Sequence, residues 1–177
     1  DEQVKTAVEQ CAATGYEALI LSFGSHCNME DTTAANIQKW KTLAEFAHKK
    51  GIKIGGYSLF SSRRISDEDD VIDPLTGKPD AAAFFGHAPC LGSQWGLAYV
   101  SKLKYFMLET GFDLFENDGP YPGDVCASTL HPGHDNLGDS QWRQMEMQKE
   151  LYRWCSENGI YVNAPDWYFL DGSIKIA

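Results

Sequence analysis

Length, composition and charge exclude several classes of protein. The chain has 177 residues, 43% of them hydrophobic and 12% aromatic, which is the size and apolar content of one globular domain spanning 1–177. Its formal net charge of −10 argues against a nucleic-acid partner, because phosphate binding draws on Lys and Arg. No apolar run of about 18 residues occurs, so no membrane-spanning helix is predicted.

The hydrophobic periodicity predicts four helices, each followed by a strand. The helices are expected near residues 1–14, 32–51, 93–110 and 139–158. The strands are expected at 16–23, at 52–60, from 112 into an acidic segment, and at 160–163. Each strand follows a glycine that suits the left-handed end of a helix: Gly15, Gly51, Gly111 and Gly159. Tryptophans within the helical pattern are expected in the core: Trp40, Trp142 and Trp154.

The alternation of helices and strands predicts a parallel sheet with right-handed crossovers, either a closed barrel or an open doubly wound sheet. The loops before the strands are short, those after them are long and polar, and no glycine-rich phosphate motif follows the first strand. These features favour a (β/α)8 TIM barrel. Because such a barrel takes about 250 residues, we expect this chain to hold about half of it, within a longer protein.

Active sites of such barrels lie at the C-terminal ends of the strands, and polar residues follow every predicted strand. In chain order the four groups are His26, Asn28 and Glu30; Ser61, Ser62, Arg63 and Arg64; Glu116, Asp118 and Asp124; and Asn163, Asp166 and Trp167. Aromatic residues nearby offer flat faces for sugar rings: Tyr57, Trp95, Tyr121, Trp142, Trp167 and Tyr168.

The strongest candidate chemistry lies in the segment 111–124. Glu116 and Asp118 are two residues apart, so their side chains leave the same face of a strand. Burying two carboxylates in a core would be costly, which favours the opening of a functional cavity over a surface turn that is merely acidic. Asp118 is expected either to attack an anomeric carbon, with a second carboxyl about 5–5.5 Å away, or to cap the turn after it. Glu116 is expected to bind a substrate hydroxyl or to pair with an arginine after the second strand.

The cysteines and histidines permit a metal site, but their spacing does not define its ligands. Five cysteines show neither a CxxC pair nor a Cys/His zinc spacing. One disulfide could form among the cysteines in predicted loops: Cys27, Cys90 and Cys126. His131 and His134, three residues apart in a Pro-Gly turn, could bind zinc with Cys126 or Asp124. Such histidines more often order a loop, so no metal ligand and no cofactor are assigned.

Five segments carry a family resemblance. They read GYSLFSSRRISD at 56–67, PCLGSQWG at 89–96, DGPYPGDVCAST at 118–129, HPGH at 131–134 and DSQW at 139–142. Together they resemble a group of bacterial, often polysaccharide-degrading glycoside hydrolases that look related to the α-galactosidase-like clan of (β/α)8 barrels. The resemblance covers most of the chain from about residue 52 onward.

The resemblance implies a retaining glycosidase that acts on α-galactosides or related sugars of a complex polysaccharide. Its aspartate nucleophile, at the end of barrel strand four, falls on Asp118, and its acid/base lies on a later strand beyond this chain. The clan often has lysine two positions before the nucleophile, where this chain has Glu116; the departure bears on the sugar and on catalysis at Asp118. The candidate substrate contacts are Glu116, Asp124, Asp166, Trp167, Arg63 and Arg64.

Two alternatives remain beside the glycosidase. One is a carbohydrate-binding barrel without catalysis, and the other is a metal-dependent hydrolase that uses His131 and His134. A secreted or periplasmic bacterial location is predicted for the glycosidase. Because half a barrel exposes two sheet edges, self-association or pairing with the missing half is also expected.

Overall fold

The fold is an alternation of helices and strands. The computed structural model describes residues 1–79, 86–119 and 123–164. Its helices are α1 (Glu2–Thr14), α2 (Ala34–Lys49), α3 (Gln94–Thr110) and α4 (Ser140–Glu157). Its strands are β1 (Ala18–Leu21), β2 (Lys53–Leu59), β3 (Leu114–Asp118) and β4 (Tyr161–Asn163). All eight elements lie where the hydrophobic pattern predicts them, so the predicted element order is confirmed.

Local signals in the sequence account for the helix ends. The Thr33 side chain accepts the backbone N–H of Asn36 at the start of α2, and Ser93 accepts that of Gly96 at the start of α3. These bonds satisfy amides that would otherwise lack a partner in the first helical turn. Gly111 ends α3 with φ 73°, a left-handed conformation that glycine adopts without steric cost. The chain therefore turns at once from α3 toward β3.

The four strands form one parallel sheet in the order β1-β2-β3-β4. Its register aligns Leu21 with Gly56, Gly56 with Phe115, and Phe115 with Val162. The strand order follows the chain without the reversal that a doubly wound sheet requires. Within the described residues, the outer edges of β1 and β4 have no strand beside them.

All four helices pack on one face of this sheet. A single core cluster joins one side chain from each helix to one from each strand: Val8, Trp40, Tyr99 and Leu151 to Leu21, Ile54, Phe115 and Val162. Doubly wound sheets are covered by helices on both faces, whereas a barrel wall is covered on the outside alone. The one-sided cover is therefore that of a barrel wall.

Side chains of β3 alternate between the two faces. Phe115 lies in the core, and Asn117 donates to the hydroxyl of Tyr152 on α4 at 2.8 Å. Glu116 and Asp118 consequently point to the opposite face, the interior of the barrel. The predicted common face of the two carboxylates is confirmed.

The core contains some of the predicted tryptophans. Trp40 is fully buried, as expected, but the expectation for Trp142 is wrong because it is 64% exposed. The buried stripe of α4 runs through Gln144, Gln148 and Leu151, and Trp142 lies beside it. No helix in the described ranges is long and apolar enough to cross a membrane.

Candidate active site

A hollow of about 570 Å³ lies at the C-terminal ends of the first three strands. Its volume falls within the range of small-molecule sites, about 300–1,000 Å³, and this end of the strands is where barrel enzymes place their catalytic groups. The described residues that line it are Ser22, Phe23, Tyr57, Leu59, Ser62, Glu116 and Asp118. Both candidate carboxylates thus share one cavity.

Asp118 is held by one of its two carboxylate oxygens. Oδ2 accepts a hydrogen bond of 2.5 Å from the hydroxyl of Tyr57. Burial raises the pKa of Tyr57, and the hydrogen bond to Asp118 raises it further, so this phenol stays protonated and donates at neutral pH. Among the described residues, no donor reaches Oδ1 of Asp118. Tyr57 therefore orients the carboxylate through one oxygen, and the described part of the chain leaves the other oxygen open to a ligand.

Glu116 joins three strand ends. Its Oε2 accepts from Ser22 Oγ at 2.5 Å and its Oε1 accepts from Asn163 Nδ2 at 3.1 Å. Ser22 follows β1 and Asn163 ends β4. The carboxylate of Glu116, in β3, therefore links the C-terminal ends of β1 and β4. Both oxygens are engaged, in contrast to those of Asp118.

The two arginines after β2 lie outside the hollow. Arg63 donates to Glu30 at 2.7 Å, and its guanidinium lies 4.8 Å from the centre of the Trp95 ring. Arg64 pairs with Asp67 on the surface. The pairing of an arginine with Glu116, one of two expectations for that residue, does not occur. Arg63 instead holds the loop after β2, and Trp95 has one ring face covered.

The remaining predicted contacts are placed away from the hollow or lie outside the described residues. Asp124 precedes α4, where its main-chain oxygen accepts from the Gln144 side chain at 2.9 Å, and it does not line the hollow. Asp166 and Trp167 lie outside the described residues, as do Tyr121 and Tyr168.

The structure adds lining residues that the sequence pattern did not indicate. The hydrophobic pattern predicts Phe23 within the first strand, but β1 ends at Leu21 and a turn begins at Ser22. The Phe23 ring is 76% exposed and meets the Tyr57 ring edge-on, with centroids 5.8 Å apart. The signal for this turn was the pair Gly24-Ser25, which is typical of a chain reversal.

A second cluster of reactive side chains is buried between the loops that follow β2 and β3. Cys90, Cys126, His131 and His134 place one sulfur or nitrogen atom each within 4.8 Å of one another. All five cysteines are free, so the disulfide that the sequence permits among Cys27, Cys90 and Cys126 is not formed in this structure. The hydrogen bond between the two thiols, with burial, raises the pKa of Cys90, and the same bond lowers that of Cys126.

Solved structures with a similar fold include glycosidases. The α-N-acetylgalactosaminidase NagBb from Bifidobacterium bifidum matches with a TM-score of 0.62 and 18% identity, over 92% of this chain and 29% of that one. The galactosidase domain of the α-galactosidase-sucrose kinase AgaSK matches with a TM-score of 0.59 and 12% identity, over 92% and 24%. The cycloalternan-forming enzyme from Listeria monocytogenes has a TM-score of 0.54 and 12% identity, over 92% and 20%.

These matches establish the fold. The neighbours are TIM-barrel enzymes, of which this chain spans 20–30% of the length. The prediction of a partial (β/α)8 barrel is confirmed, and so is the resemblance to the α-galactosidase-like enzymes at the level of the fold. No family model matches the sequence, and no curated protein matches it.

Proposed function

We propose that this chain is the N-terminal half of the catalytic barrel of a retaining glycoside hydrolase, with Asp118 as its nucleophile. The substrates are α-galactosides or α-N-acetylgalactosaminides, in line with the names of two of the similar structures, and they belong to complex polysaccharides. The observation that carries the proposal is the position of Asp118. It stands at the C-terminal end of β3, which would be the fourth strand of the whole barrel, inside the hollow, with one oxygen held by Tyr57.

The geometry of Asp118 suits nucleophilic attack. The Tyr57 hydroxyl holds Oδ2, which leaves Oδ1 as the oxygen that attacks the anomeric carbon and forms a glycosyl-enzyme ester. A second carboxyl group must protonate the leaving oxygen and later activate water. In this proposal it comes from a later strand of the longer protein, since both oxygens of Glu116 are already engaged.

Glu116 has a positioning role in this proposal. Through Ser22 and Asn163 it ties the ends of β1 and β4 to β3 beneath the nucleophile. A carboxylate here, in place of a lysine, accepts hydrogen bonds from sugar hydroxyls instead of donating them. The exposed Phe23 ring provides an apolar face at the mouth of the hollow, where the C–H face of a sugar can pack.

Chemical rescue tests the proposal in the full-length protein. The wild type should hydrolyse aryl α-galactosides or aryl α-N-acetylgalactosaminides, and the first-formed sugar, followed by NMR, should keep the α configuration. The Asp118→Gly variant should lose turnover, and added azide should restore it with a β-glycosyl azide as product. Glu17→Gln, which removes an exposed carboxylate at the opposite end of the sheet, should retain full activity.

Other results would overturn parts of the proposal. Undiminished hydrolysis by Asp118→Asn would remove Asp118 from the nucleophile role, and a β product from the wild type would exclude a retaining mechanism. Sugar binding without any product after prolonged incubation would favour the non-catalytic carbohydrate-binding barrel.

Location and assembly follow from the same proposal. A secreted or periplasmic location would bring the enzyme to its polysaccharide. The edges of β1 and β4 that have no partner in the described residues would pair with the other half of the barrel, either within the longer chain or in a second copy.

A further inference from the structure

The buried Cys/His cluster has the composition of a metal centre. Cys90, Cys126, His131 and His134 are 0%, 0%, 6% and 4% exposed. Cys90 lies in the loop after β2, and the other three lie in the loop after β3. We propose that these four residues bind one Zn²⁺ ion, which joins the two loops. The proposed function does not depend on this ion.

Distances within the cluster fit a tetrahedral zinc site. Cys90 Sγ lies 3.4 Å from His134 Nε2, and Cys126 Sγ lies 3.4 Å from His131 Nδ1. With zinc–sulfur and zinc–nitrogen bonds of about 2.3 and 2.0–2.1 Å, a tetrahedron separates sulfur from nitrogen by about 3.6 Å. The two printed separations are within a few tenths of an ångström of that value, and all four ligand atoms lie within 4.8 Å of one another, so modest side-chain shifts would bring them to a common centre.

Surrounding groups already orient the ligand atoms. His131 Nε2 lies 2.9 Å from the main-chain oxygen of Glu68; because that oxygen can only accept, Nε2 carries the proton and Nδ1 presents its lone pair to the cluster. The backbone N–H of Ile72 donates to Cys126 Sγ, which favours a thiolate. A backbone carbonyl behind a histidine and an amide behind a thiolate are typical outer partners of zinc ligands.

His134 is the residue that hydrogen bonding explains least. Its Nδ1 has no hydrogen-bond partner among the described residues, although the ring is buried. Its Nε2 faces Cys90. A buried imidazole whose one polar contact is a thiol is costly, and a metal bond at Nε2 would offset part of that cost.

The donor set indicates a structural ion. Two sulfur and two nitrogen ligands in a tetrahedron are typical of zinc, and a site whose four positions are all taken by protein has no position for a catalytic water. The arrangement therefore argues against the metal-dependent hydrolase that His131 and His134 alone had suggested.

The ion would stabilise loops with few regular hydrogen bonds. The two loops touch through Ala127 N to Ile72 O at 2.9 Å and Gly133 N to Gly92 O at 2.8 Å. Glycine is required at this crossing, because a Cβ on Gly133 would lie 2.5 Å from the Cα of Gly92. The ion would therefore hold the loop after β2 against the loop after β3.

Metal analysis of the full-length protein, purified without chelators or metal-affinity resin, tests the inference. We expect one zinc per chain by mass spectrometry. Cys90→Ser and His134→Gln should lose it, whereas the matched controls Cys27→Ser and His26→Gln should keep it. Cobalt added to metal-free wild type should produce the thiolate charge-transfer and visible bands of a tetrahedral S₂N₂ site, a readout that remains if a variant fails to fold.

Three outcomes would overturn the inference. They are a wild type that holds no zinc and shows no cobalt–thiolate absorption, zinc retained by both cluster variants, and a Cys90–Cys126 disulfide found by peptide mapping. None of these outcomes bears on hydrolysis at Asp118, so the two proposals fail independently.

Discussion

Replacing Gly119 by alanine tests the packing around the proposed nucleophile. Gly119 directly follows Asp118 and has φ +72°. An added Cβ would lie 2.2 Å from Oγ and 3.1 Å from Cβ of Ser61, the second residue after β2. Ser61 is 2% exposed, and its backbone nitrogen would also lie 3.2 Å from the added Cβ. The substitution should therefore push the end of β3 away from β2.

The loss of unfolding free energy in Gly119→Ala has two contributions, which a control variant separates. An L-residue in the left-handed region costs about 1–2 kcal/mol, and overpacking in a tight site costs about 1–3 kcal/mol. Gly119→Ala should thus lose about 2–5 kcal/mol of unfolding free energy. Gly159 has the same φ of +72° with no atom within 4 Å of its added Cβ, so Gly159→Ala should lose the first part alone, about 1–2 kcal/mol.

Stability and activity should respond together at Gly119. Denaturant unfolding of the full-length variants measures the first, and kcat/KM on an aryl glycoside measures the second. A displacement of Asp118 by about 1 Å should lower kcat/KM by roughly 10²-fold, while Gly159→Ala leaves it unchanged. Adding Ser61→Ala to Gly119→Ala removes the shortest contact and should recover part of both losses.

Equal behaviour of the two glycine variants would refute this reasoning. If Gly119→Ala lost no more stability than Gly159→Ala and kept its activity, the end of β3 would not pack against Ser61 as described. A loss of activity without any extra loss of stability would place Gly119 in contact with substrate instead.

Two further substitutions test other parts of the fold. Tyr152→Phe leaves the buried amide of Asn117 without its 2.8 Å partner and should cost about 1–3 kcal/mol in denaturant unfolding; the exposed control Tyr16→Phe should cost nothing measurable. Hydrogen bonds from backbone N–H groups, that of Asn136 first, lower the pKa of Asp139 below 3.8. Its stabilisation is complete above that pH and is lost as the pH falls through the lowered pKa, so Asp139→Asn should flatten acid unfolding in this window.

The hydrophobic periodicity was sufficient to predict the helices and strands, because the signals that define them are local. Apolar spacing, Thr33 and Ser93 at helix starts, and Gly111 at a helix end each act within a few residues. The spacing of Glu116 and Asp118 likewise determined their common face. Long-range partners lie beyond that reach: Arg63 binds Glu30 instead of Glu116.

The sequence by itself determined the order of the elements, the parallel sheet and the pair of carboxylates at a strand end. Only the tertiary structure decided which groups meet, including Tyr57 with Asp118 between neighbouring strands and Cys90 with His134 between loops. The reason is physical. A period of two or 3.6 residues reports the direction of a side chain from its own backbone, whereas a contact between loops depends on how several strands and helices pack together.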